Sequence, residues 1–301
     1  MKRKIYNEGN MQEGIIVRAY SSFYYVKVDQ EIWECKLRGK FRQTKERVLT
    51  GDRVLVQAIA SGRGVIEKVL PRDRELIRPP VANVHQVVIV MALTSPDPNL
   101  GLLDRLLVLT EEESLEPVIV FNKADLATPE RRADLVQLYS RAGYPVLLTS
   151  AFTGQGIAEL KDCLKEKISV LAGPSGVGKS SLLNQVQPGL TLRTSEVSRK
   201  IGRGRHTTRF VELLSLEDGG LVADSPGFSV LSLPRMKREE LSGYFRELAE
   251  FTGRCRFNSC LHRSEPSCQV KQALEEGLID ERRYESYLTL LQEVIENEQR
   301  Y

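Results

Sequence analysis

No uninterrupted apolar run in the sequence approaches the ~20 residues that a membrane-spanning helix requires. The basic residues at its start are not followed by the apolar stretch of a signal peptide. Neither charge sign dominates, because 43 Lys and Arg face 40 Asp and Glu and leave a net charge of +3. We therefore expect a cytoplasmic protein with no membrane partner. Any nucleic-acid partner must be argued from local clusters of charge.

Cysteine is scarce, with five residues in the chain. Two of them stand alone, and the other three crowd around a histidine: Cys255, Cys260, His262 and Cys268. In a reducing compartment this spacing predicts a metal site before a disulfide. Three thiolates and one imidazole form the closed tetrahedral set of a structural zinc site, so one Zn²⁺ ion is predicted here.

One glycine-rich stretch has the spacing of a phosphate-binding loop. Residues 173–180 read GPSGVGKS, which satisfies G-x-x-x-x-G-K-[ST]. A buried strand is predicted before it and a helix after it, the context in which backbone N–H groups turn toward phosphate oxygens. Lys179 is predicted to reach the β- and γ-phosphates, and Ser180 to ligate Mg²⁺. The chain is therefore predicted to bind a nucleoside triphosphate.

Two further motifs predict that the base is guanine. Asn122, Lys123 and Asp125 follow one predicted strand, and Ser150 and Ala151 follow the next. Ligands of open α/β sheets bind at the carboxyl ends of strands. The Asp125 carboxylate can accept from the N1–H and 2-amino groups of guanine, which adenine lacks. A wrong base would leave buried polar groups unpaired, which is a strong form of discrimination.

The segment beyond the phosphate loop predicts the rest of a magnesium site. An apolar strand delivers Asp224, which can hold a Mg²⁺-bound water, and Gly227 follows with an N–H that can sense the γ-phosphate. Between the loop and this strand lies a basic, glycine-rich segment that we expect to be mobile. Thr207 or Thr208 in that segment is placed in sequence to complete the magnesium shell.

The patterning of the chain predicts a multidomain α/β protein. Residues 14–69 form five short alternating runs, typical of a small all-β barrel of the OB type. Continuous apolar strands then alternate with helical periods, which favours a doubly wound sheet. The predicted order is an RNA-binding barrel, a linker, a GTPase domain and a zinc-binding helical domain, at 1–72, 73–83, 84–234 and 235–301.

Three surfaces could contact RNA. Basic residues recur from Lys36 to Arg47 between the third and fourth strands. They could bind the phosphate backbone of RNA, or they could form a solvated loop with no partner. Three aromatic side chains could stack on bases or fill the core: Tyr24, Tyr25 and Trp33. Three arginines lie around the cysteine cluster: Arg254, Arg256 and Arg263. The spacing of the basic residues between Lys36 and Arg47 leaves both interpretations of that loop open.

The motifs together resemble those of the translation-factor-like P-loop GTPases, in rotated order. The guanine motifs precede the phosphate loop, whereas they come last in ordinary members. The same sheet can form when old termini are joined and new ones open in a loop. With a barrel in front and a cysteine cluster behind, the chain resembles the family of circularly permuted ribosome small-subunit-dependent GTPase A, a group of bacterial ribosome biogenesis factors. The resemblance covers nearly the whole chain.

This resemblance implies GTP hydrolysis to GDP, stimulated by the immature 30S subunit, with contact to 16S rRNA by a monomer. Phe228 stands where Ras-type GTPases carry a water-orienting Gln, and it cannot position water. The resemblance points to His206 as the replacement. The implied GTP-binding residues are Asn122, Lys123, Asp125, Ser150, Ala151, Gly173, Pro174, Ser175, Gly176, Val177, Gly178, Lys179, Ser180, Ser181 and Gly227.

Two other functions stay open at the level of sequence. A P-loop kinase or ATPase shares the phosphate loop, although the guanine selectivity expected from Asp125 argues against it. A zinc-bearing RNA-binding module could also bind GTP without significant turnover. A GTPase rate that responds to added small subunits would separate that module from a ribosome-activated enzyme.

Overall fold

The computed structural model describes residues 11–39, 47–77, 80–190, 211–224 and 232–299. The strands are β1 Met11–Tyr20, β2 Phe23–Val28, β3 Glu31–Leu37, β4 Arg53–Ala60, β5 Arg63–Val69, β6 Glu75–Leu76, β7 Val81–Ala82, β8 Gln86–Ala92, β9 Glu116–Asn122, β10 Val146–Leu148, β11 Ile168–Ala172, β12 Leu213–Ser215 and β13 Leu221–Asp224. The helices are α1 Leu100–Glu112, α2 Pro129–Arg141, α3 Ile157–Leu164, α4 Lys179–Val186, α5 Arg246–Ala249, α6 Gln269–Glu275 and α7 Glu281–Gln299. No helix within these ranges is both long and apolar enough to cross a membrane.

The described residues divide into two compact units. One comprises the described parts of Met1–His85, Leu164–Val170 and Leu192–Gly227, and the other those of Gln86–Cys163, Leu171–Thr191 and Phe228–Tyr301. The boundaries predicted for four separate segments stay a prediction.

The first five strands form a closed barrel in the order β1-β2-β3-β5-β4. β1 pairs antiparallel with β2 on one side and with β4 on the other, which closes the ring. Successive side chains of a strand point to opposite faces, and this alternation places Val26, Val28 and Trp33 in one buried cluster. The predicted OB-like barrel is confirmed. Trp33 fills its core, while Tyr24 and Tyr25 are half-buried.

Only part of the predicted basic loop can be assigned, because residues 40–46 lie outside the described ranges. Arg38 forms an ion pair with Glu67, a carboxylate that is otherwise buried in the barrel. The ammonium group of Lys36 lies 5.0 Å from the ring centroid of Phe23. The described end of this loop therefore combines cations with a partly exposed aromatic ring.

The predicted linker contains the short antiparallel pair β6 and β7. Arg72, which precedes the pair, places Nε 2.6 Å and Nη2 2.9 Å from the two carboxylate oxygens of Asp52. Asp52 is fully buried and also accepts from the backbone N–H of Leu49 at 2.7 Å. This charged contact fixes the start of the segment on the turn that precedes β4.

A six-stranded sheet in the order β10-β9-β8-β11-β13-β12 confirms the predicted α/β domain. β9 pairs parallel with both β8 and β10, so the chain segments that follow these three strands leave the sheet at one end. β8 is buried along its whole length, as its continuous apolar run predicts. β12 and β13 instead pair antiparallel, a hairpin that the βαβ pattern does not predict.

Helices α1 and α2 begin at side-chain caps. The Asn99 Oδ1 accepts from the N–H of Leu102 at 2.9 Å at the start of α1. Thr128 caps α2, and Pro129 stands at its first position, where the missing N–H costs nothing. The two helices therefore begin at defined residues after β8 and β9.

The C-terminal helices share a hydrophobic cluster with α1. Val108 of α1 lies in one buried cluster with Phe245, Leu248, Tyr287 and Leu291. The rings of Phe245 and Tyr287 meet edge to face with centroids 5.5 Å apart. The last helix, α7, thus buries an apolar face within this unit.

Arg283 of α7 is buried in the same unit with only 1% of its side chain exposed. Its Nε lies 2.6 Å from Glu247, and its Nη1 donates to Asp104 of α1. The guanidinium carbon also lies 4.7 Å from the ring centroid of Phe245. Burial alone would lower the pKa of Arg283, but Asp104 and Glu247 raise it well above its usual value, so the cation is retained.

Replacing Arg283 by methionine should destabilise the protein. Arg283→Met leaves Asp104 and Glu247 as buried carboxylates without a cation, so we expect a loss of about 3–5 kcal/mol in the free energy of unfolding, measured by urea denaturation. The matched control is Arg282→Met, whose partners Asp134 and Asp280 are 53% and 32% exposed. It should cost about 1 kcal/mol or less. Equal losses in the two variants would contradict this role for Arg283.

Candidate nucleotide and metal sites

The phosphate loop joins β11 to α4 and depends on two glycines. Gly173 has φ of 125°, and a Cβ there would lie 2.1 Å from the carbonyl oxygen of Val90. Gly178 has φ of 96°, and a Cβ there would lie 2.3 Å from the Nδ2 of Asn122. Positive φ and these close approaches both require glycine. The loop therefore packs tightly against β8 and the end of β9.

The predicted phosphate ligands lie at the start of α4. Lys179 is its first residue, and its Nζ donates to the carbonyls of Gly173 at 2.8 Å and Pro174 at 2.9 Å. Ser180 and Ser181 follow in the first turn. Such a helix start combines a lysine ammonium with the positive end of the helix dipole, an arrangement suited to a phosphate chain.

Asn122 connects the guanine motif to the phosphate loop. It is 1% exposed, and its Nδ2 donates to the carbonyl oxygen of Val177 at 2.8 Å. Its Oδ1 accepts from the N–H of Ala151 and from the Oγ1 of Thr149, both at 3.3 Å. One amide thus holds three chain segments together through both its polar ends. The sequence does not predict this contact of Thr149, which directly precedes Ser150 and Ala151.

Lys123 makes a second connection to the same loop. Its Nζ donates to the carbonyl of Gly176 at 2.8 Å and also to the carbonyl of Ser95. Its backbone is left-handed, with φ of 62°, and a short 3-10 helix at Ala124–Leu126 follows. This turn directs the chain away from β9 and places Asp125 on the surface.

The second guanine motif is organised around Ser150. The buried Ser150 donates its hydroxyl to Asp125 and accepts from the N–H of Thr153 at 3.1 Å. The carbonyl of Thr149 accepts from the N–H of Ala124 at 3.0 Å. The two predicted guanine motifs therefore form one hydrogen-bonded group at the ends of β9 and β10.

Several predicted site residues cannot be placed. His206, Thr207, Thr208 and Gly227 lie outside the described residues. Asp224 ends β13, and only its backbone position is described. The structure thus brings together the phosphate loop and the guanine motifs, while the assignment of all these residues to GTP, magnesium and catalysis stays a prediction.

Gly178→Ala should weaken nucleotide binding strongly. The added methyl group collides with the Asn122 amide, so we expect GTP affinity to fall at least about tenfold, equivalent to about 1.4 kcal/mol. Isothermal titration with GTP measures the effect. Gly189→Ala is the control, because Gly189 has a similar φ of 85° with nothing within 4 Å of the added atom. Unchanged affinity in Gly178→Ala would show that the contact is not required.

The four predicted metal ligands converge on one point. One donor atom from each of Cys255, Cys260, His262 and Cys268 lies within 4.8 Å of the others. The Nδ1 of His262 is 3.5 Å from the Sγ of Cys255 and 3.4 Å from that of Cys268. Burial raises the pKa of the Cys260 thiol, and a bound cation would offset this effect by stabilising the thiolate. This donor set can hold a metal ion.

Glu265 shapes the turn that carries His262. Its carboxylate accepts from the backbone N–H groups of Leu261 at 2.9 Å, Arg263 at 2.8 Å and Ser264 at 3.0 Å. Burial alone would raise the pKa of Glu265, but these hydrogen bonds lower it to about 2. The carboxylate therefore stays charged and fixes the backbone on both sides of the ligand. Sequence reasoning missed this residue because only its position between two ligands marks it.

Glu265→Gln should loosen the metal site without removing a ligand. An amide has only one oxygen to replace a carboxylate that serves three N–H groups, so we expect metal affinity to fall about 10–100-fold, as for other residues that support ligands. Competition with a chromogenic chelator measures this. Glu276→Gln is the control, since within the described residues Glu276 accepts only from the side chain of Gln272. Equal metal retention in both variants would contradict the role of Glu265.

Family models match most of the chain. Residues 69–234 match the model of the RsgA GTPase, and residues 13–66 match that of the RsgA N-terminal domain. The GTPase match begins at residue 69 and the N-terminal match ends at residue 66, both within β5 of the barrel. The first includes both guanine motifs and the phosphate loop.

Relatives are similar over nearly their full length. Proteins named small ribosomal subunit biogenesis GTPase RsgA are 56% identical in Moorella thermoacetica, over 96% of this chain and 99% of that protein, and 51% identical in Caldanaerobacter subterraneus subsp. tengcongensis, over 96% and 97%. The crystal structure of YjeQ from Thermotoga maritima has a TM-score of 0.82 at 42% identity, covering 95% of this chain and 99% of that one. The structure of YloQ, described as a circularly permuted GTPase, has a TM-score of 0.80 at 38% identity, with 98% of each chain covered.

Proposed function

Because the chain belongs to the RsgA GTPase family and is therefore a GTP hydrolase, we propose that it acts on the immature 30S subunit and assists its late maturation. The observation that carries the GTP-binding part of the proposal is the bond from the Asn122 amide to the carbonyl of Val177. It joins the segment that we expect to select the base to the loop that we expect to bind phosphates. This supports a single site for GTP, and the guanine selectivity expected from Asp125 argues against the kinase or ATPase alternative.

In this proposal each motif binds one part of GTP. Asp125 pairs with the N1–H and 2-amino groups of guanine, while Ala151 and the group around Ser150 complete the base pocket. The phosphate loop, residues 173–178, wraps the phosphates with its backbone, and Lys179 contacts the β- and γ-phosphates. Lys179 would exchange its two loop carbonyls for phosphate oxygens, which bear more negative charge.

We assign the magnesium ligands to Ser180, Asp224 and one of Thr207 and Thr208. The position of Ser180 in the first turn of α4 suits a ligand beside the phosphates. Bound Mg²⁺ supplies positive charge that offsets the charge developing on the phosphates. His206 then orients the attacking water, since Phe228 has no polar atom for that purpose.

We propose Zn²⁺ as the ion of the cysteine cluster. Bond lengths of about 2.3 Å to sulfur and 2.0–2.1 Å to nitrogen give tetrahedral edges of about 3.5–3.8 Å. The separations of 3.4 Å, 3.5 Å and 3.9 Å among the Nδ1 of His262 and the Sγ atoms of Cys255 and Cys268 are close to those edges. With four protein ligands the role of the ion is structural.

The proposed partner is 16S rRNA, bound by a monomer in the cytoplasm. Two surfaces combine cations with aromatic rings: the barrel, where Lys36 lies over Phe23, and the cysteine cluster, where Arg256 lies 5.5 Å from the ring of the exposed Phe257. Such pairs suit phosphates and unstacked bases. The proposed domains are those predicted from the sequence, with the barrel and the metal-bearing region as the RNA-binding parts.

GTP turnover with and without 30S subunits tests this function. We expect subunits to raise the wild-type rate at least about tenfold, and His206→Ala to lose that stimulation while keeping its GTP affinity. His85→Asn is the control, because it also removes an imidazole. The asparagine side-chain oxygen can replace the His85 Nδ1 as the acceptor for the N–H of Ile168.

The two possible failures of this experiment have different meanings. A wild-type rate that subunits do not change would overturn the proposed function. Equal stimulation of wild type and His206→Ala would remove only His206 from the mechanism.

A further inference from the structure

The chain that enters β12 is attached to the barrel at two described residues, Val211 and Glu212. Glu212 forms an antiparallel β-bridge with Arg18 of β1, and the Nη1 of Arg18 lies 3.3 Å from its carboxylate. The carbonyl of Val211 accepts from the Oγ1 of Thr50 at 3.1 Å. Thr50 is 6% and Val211 8% exposed, so this second contact is shielded from water.

The turn that carries Thr50 is itself fixed to β1. The N–H of Gly51 donates to the carbonyl of Ile16 at 2.7 Å, and the N–H of Ile16 donates to the carbonyl of Asp52 at 2.9 Å. Both attachments of the 211–212 segment therefore lead to one strand of the barrel. A displacement of β1 must move this segment with it.

Arg18 also faces the barrel surface. Its guanidinium carbon lies 4.0 Å from the ring centroid of Tyr25 on β2, which is half-buried. The aromatic ring on one side and the Glu212 carboxylate on the other restrict the arginine to one orientation. The side chains of Arg18 and Glu212 are 35% and 36% exposed, so water and an RNA phosphate can both reach the pair.

The 211–212 segment lies next to the predicted magnesium residues in the chain. Thr208 precedes Val211 by three positions. Downstream, β12 pairs with β13, whose last residue is Asp224. The β12–β13 hairpin and the segment before it thus connect the barrel contact to predicted ligands on both sides.

We propose that Arg18 is a positioning residue that transmits binding of the barrel to GTP hydrolysis, through its ion pair with Glu212. This inference rests on the proposed function, because it needs a subunit that binds the barrel and stimulates turnover. RNA bound at the Tyr25 side of the barrel shifts β1 and Arg18, and the bridge at Glu212 carries that shift into β12. Breaking the pair uncouples stimulation from binding.

The test compares Arg18→Gln and Glu212→Gln with wild type. We measure GTP turnover without subunits, the stimulated rate at saturating 30S subunits, and the subunit affinity. Each variant should keep its basal rate. The ratio of stimulated to basal rate should fall at least about fivefold, which is the lower end of typical coupling between sites. The double variant should lose no more than either single one, because both changes break the same contact.

Asp73→Asn is the matched control. It breaks the ion pair between Arg53 and Asp73, which is also 3.3 Å long and lies on the exposed surface of the same unit. That pair has no contact with the 211–212 segment in the described residues. The control should keep full stimulation.

Each outcome separates this link from other roles of Arg18. If Arg18→Gln loses stimulation but Glu212→Gln keeps it, Arg18 acts by contacting RNA and the proposed link is wrong. Full stimulation of both variants also overturns the link, while the proposed function stands. A wild-type enzyme that subunits do not stimulate overturns both. The double variant Arg18→Glu with Glu212→Arg restores an ion pair with the charges exchanged, so it should recover part of the stimulation that the single variants lose. A variant that lost stimulation by misfolding would not recover it in this way.

Discussion

The proposed nucleotide site depends on one buried amide, the side chain of Asn122. Its Nδ2 holds the phosphate loop at Val177, and its Oδ1 holds the second guanine loop at Ala151. These partners lie 55 and 29 positions away along the chain. A buried amide with both ends satisfied is costly to disturb, because any displacement leaves a donor or an acceptor without a partner. The rotated order of the motifs is therefore compatible with the site, since these contacts depend on positions in space.

The C-terminal part of the chain stabilises the unit that contains Asn122, through charge as well as packing. Arg283 reaches Asp104 on α1, the helix that follows β8, and Glu247 on α5. Arg105 of α1 also pairs with Glu293 of α7. The metal cluster combines local contacts, in which Glu265 serves three neighbouring N–H groups, with bonds from α7. The hydroxyls of Tyr284 and Tyr287 donate to the carbonyls of His262 at 2.6 Å and Leu261 at 2.8 Å. The metal turn is thus attached to helices that belong to a larger core.

Sequence predicted the parts of this molecule that have a local signature. The five barrel strands, the phosphate loop and the metal ligands follow from alternation, glycine spacing and cysteine spacing, and the structure has them in those places. Arg283 has no such signature. In the sequence, a charged residue of an amphipathic helix looks like any solvent-exposed charge until its partners are known. The same holds for the ion pair of Arg18 and Glu212 and for the hairpin of β12 and β13, since both depend on residues distant in sequence. The catalytic assignment of His206 came from family resemblance alone.

The six-stranded sheet ends on both sides in very short strands. β10 and β12, the outermost strands of the described sheet, have three residues each. A long exposed edge offers unpaired N–H and carbonyl groups to another chain and invites aggregation. Here the bridge between Arg18 and Glu212 also occupies backbone groups next to β12. The described part of this sheet therefore gives neighbouring molecules little edge on which to add a strand.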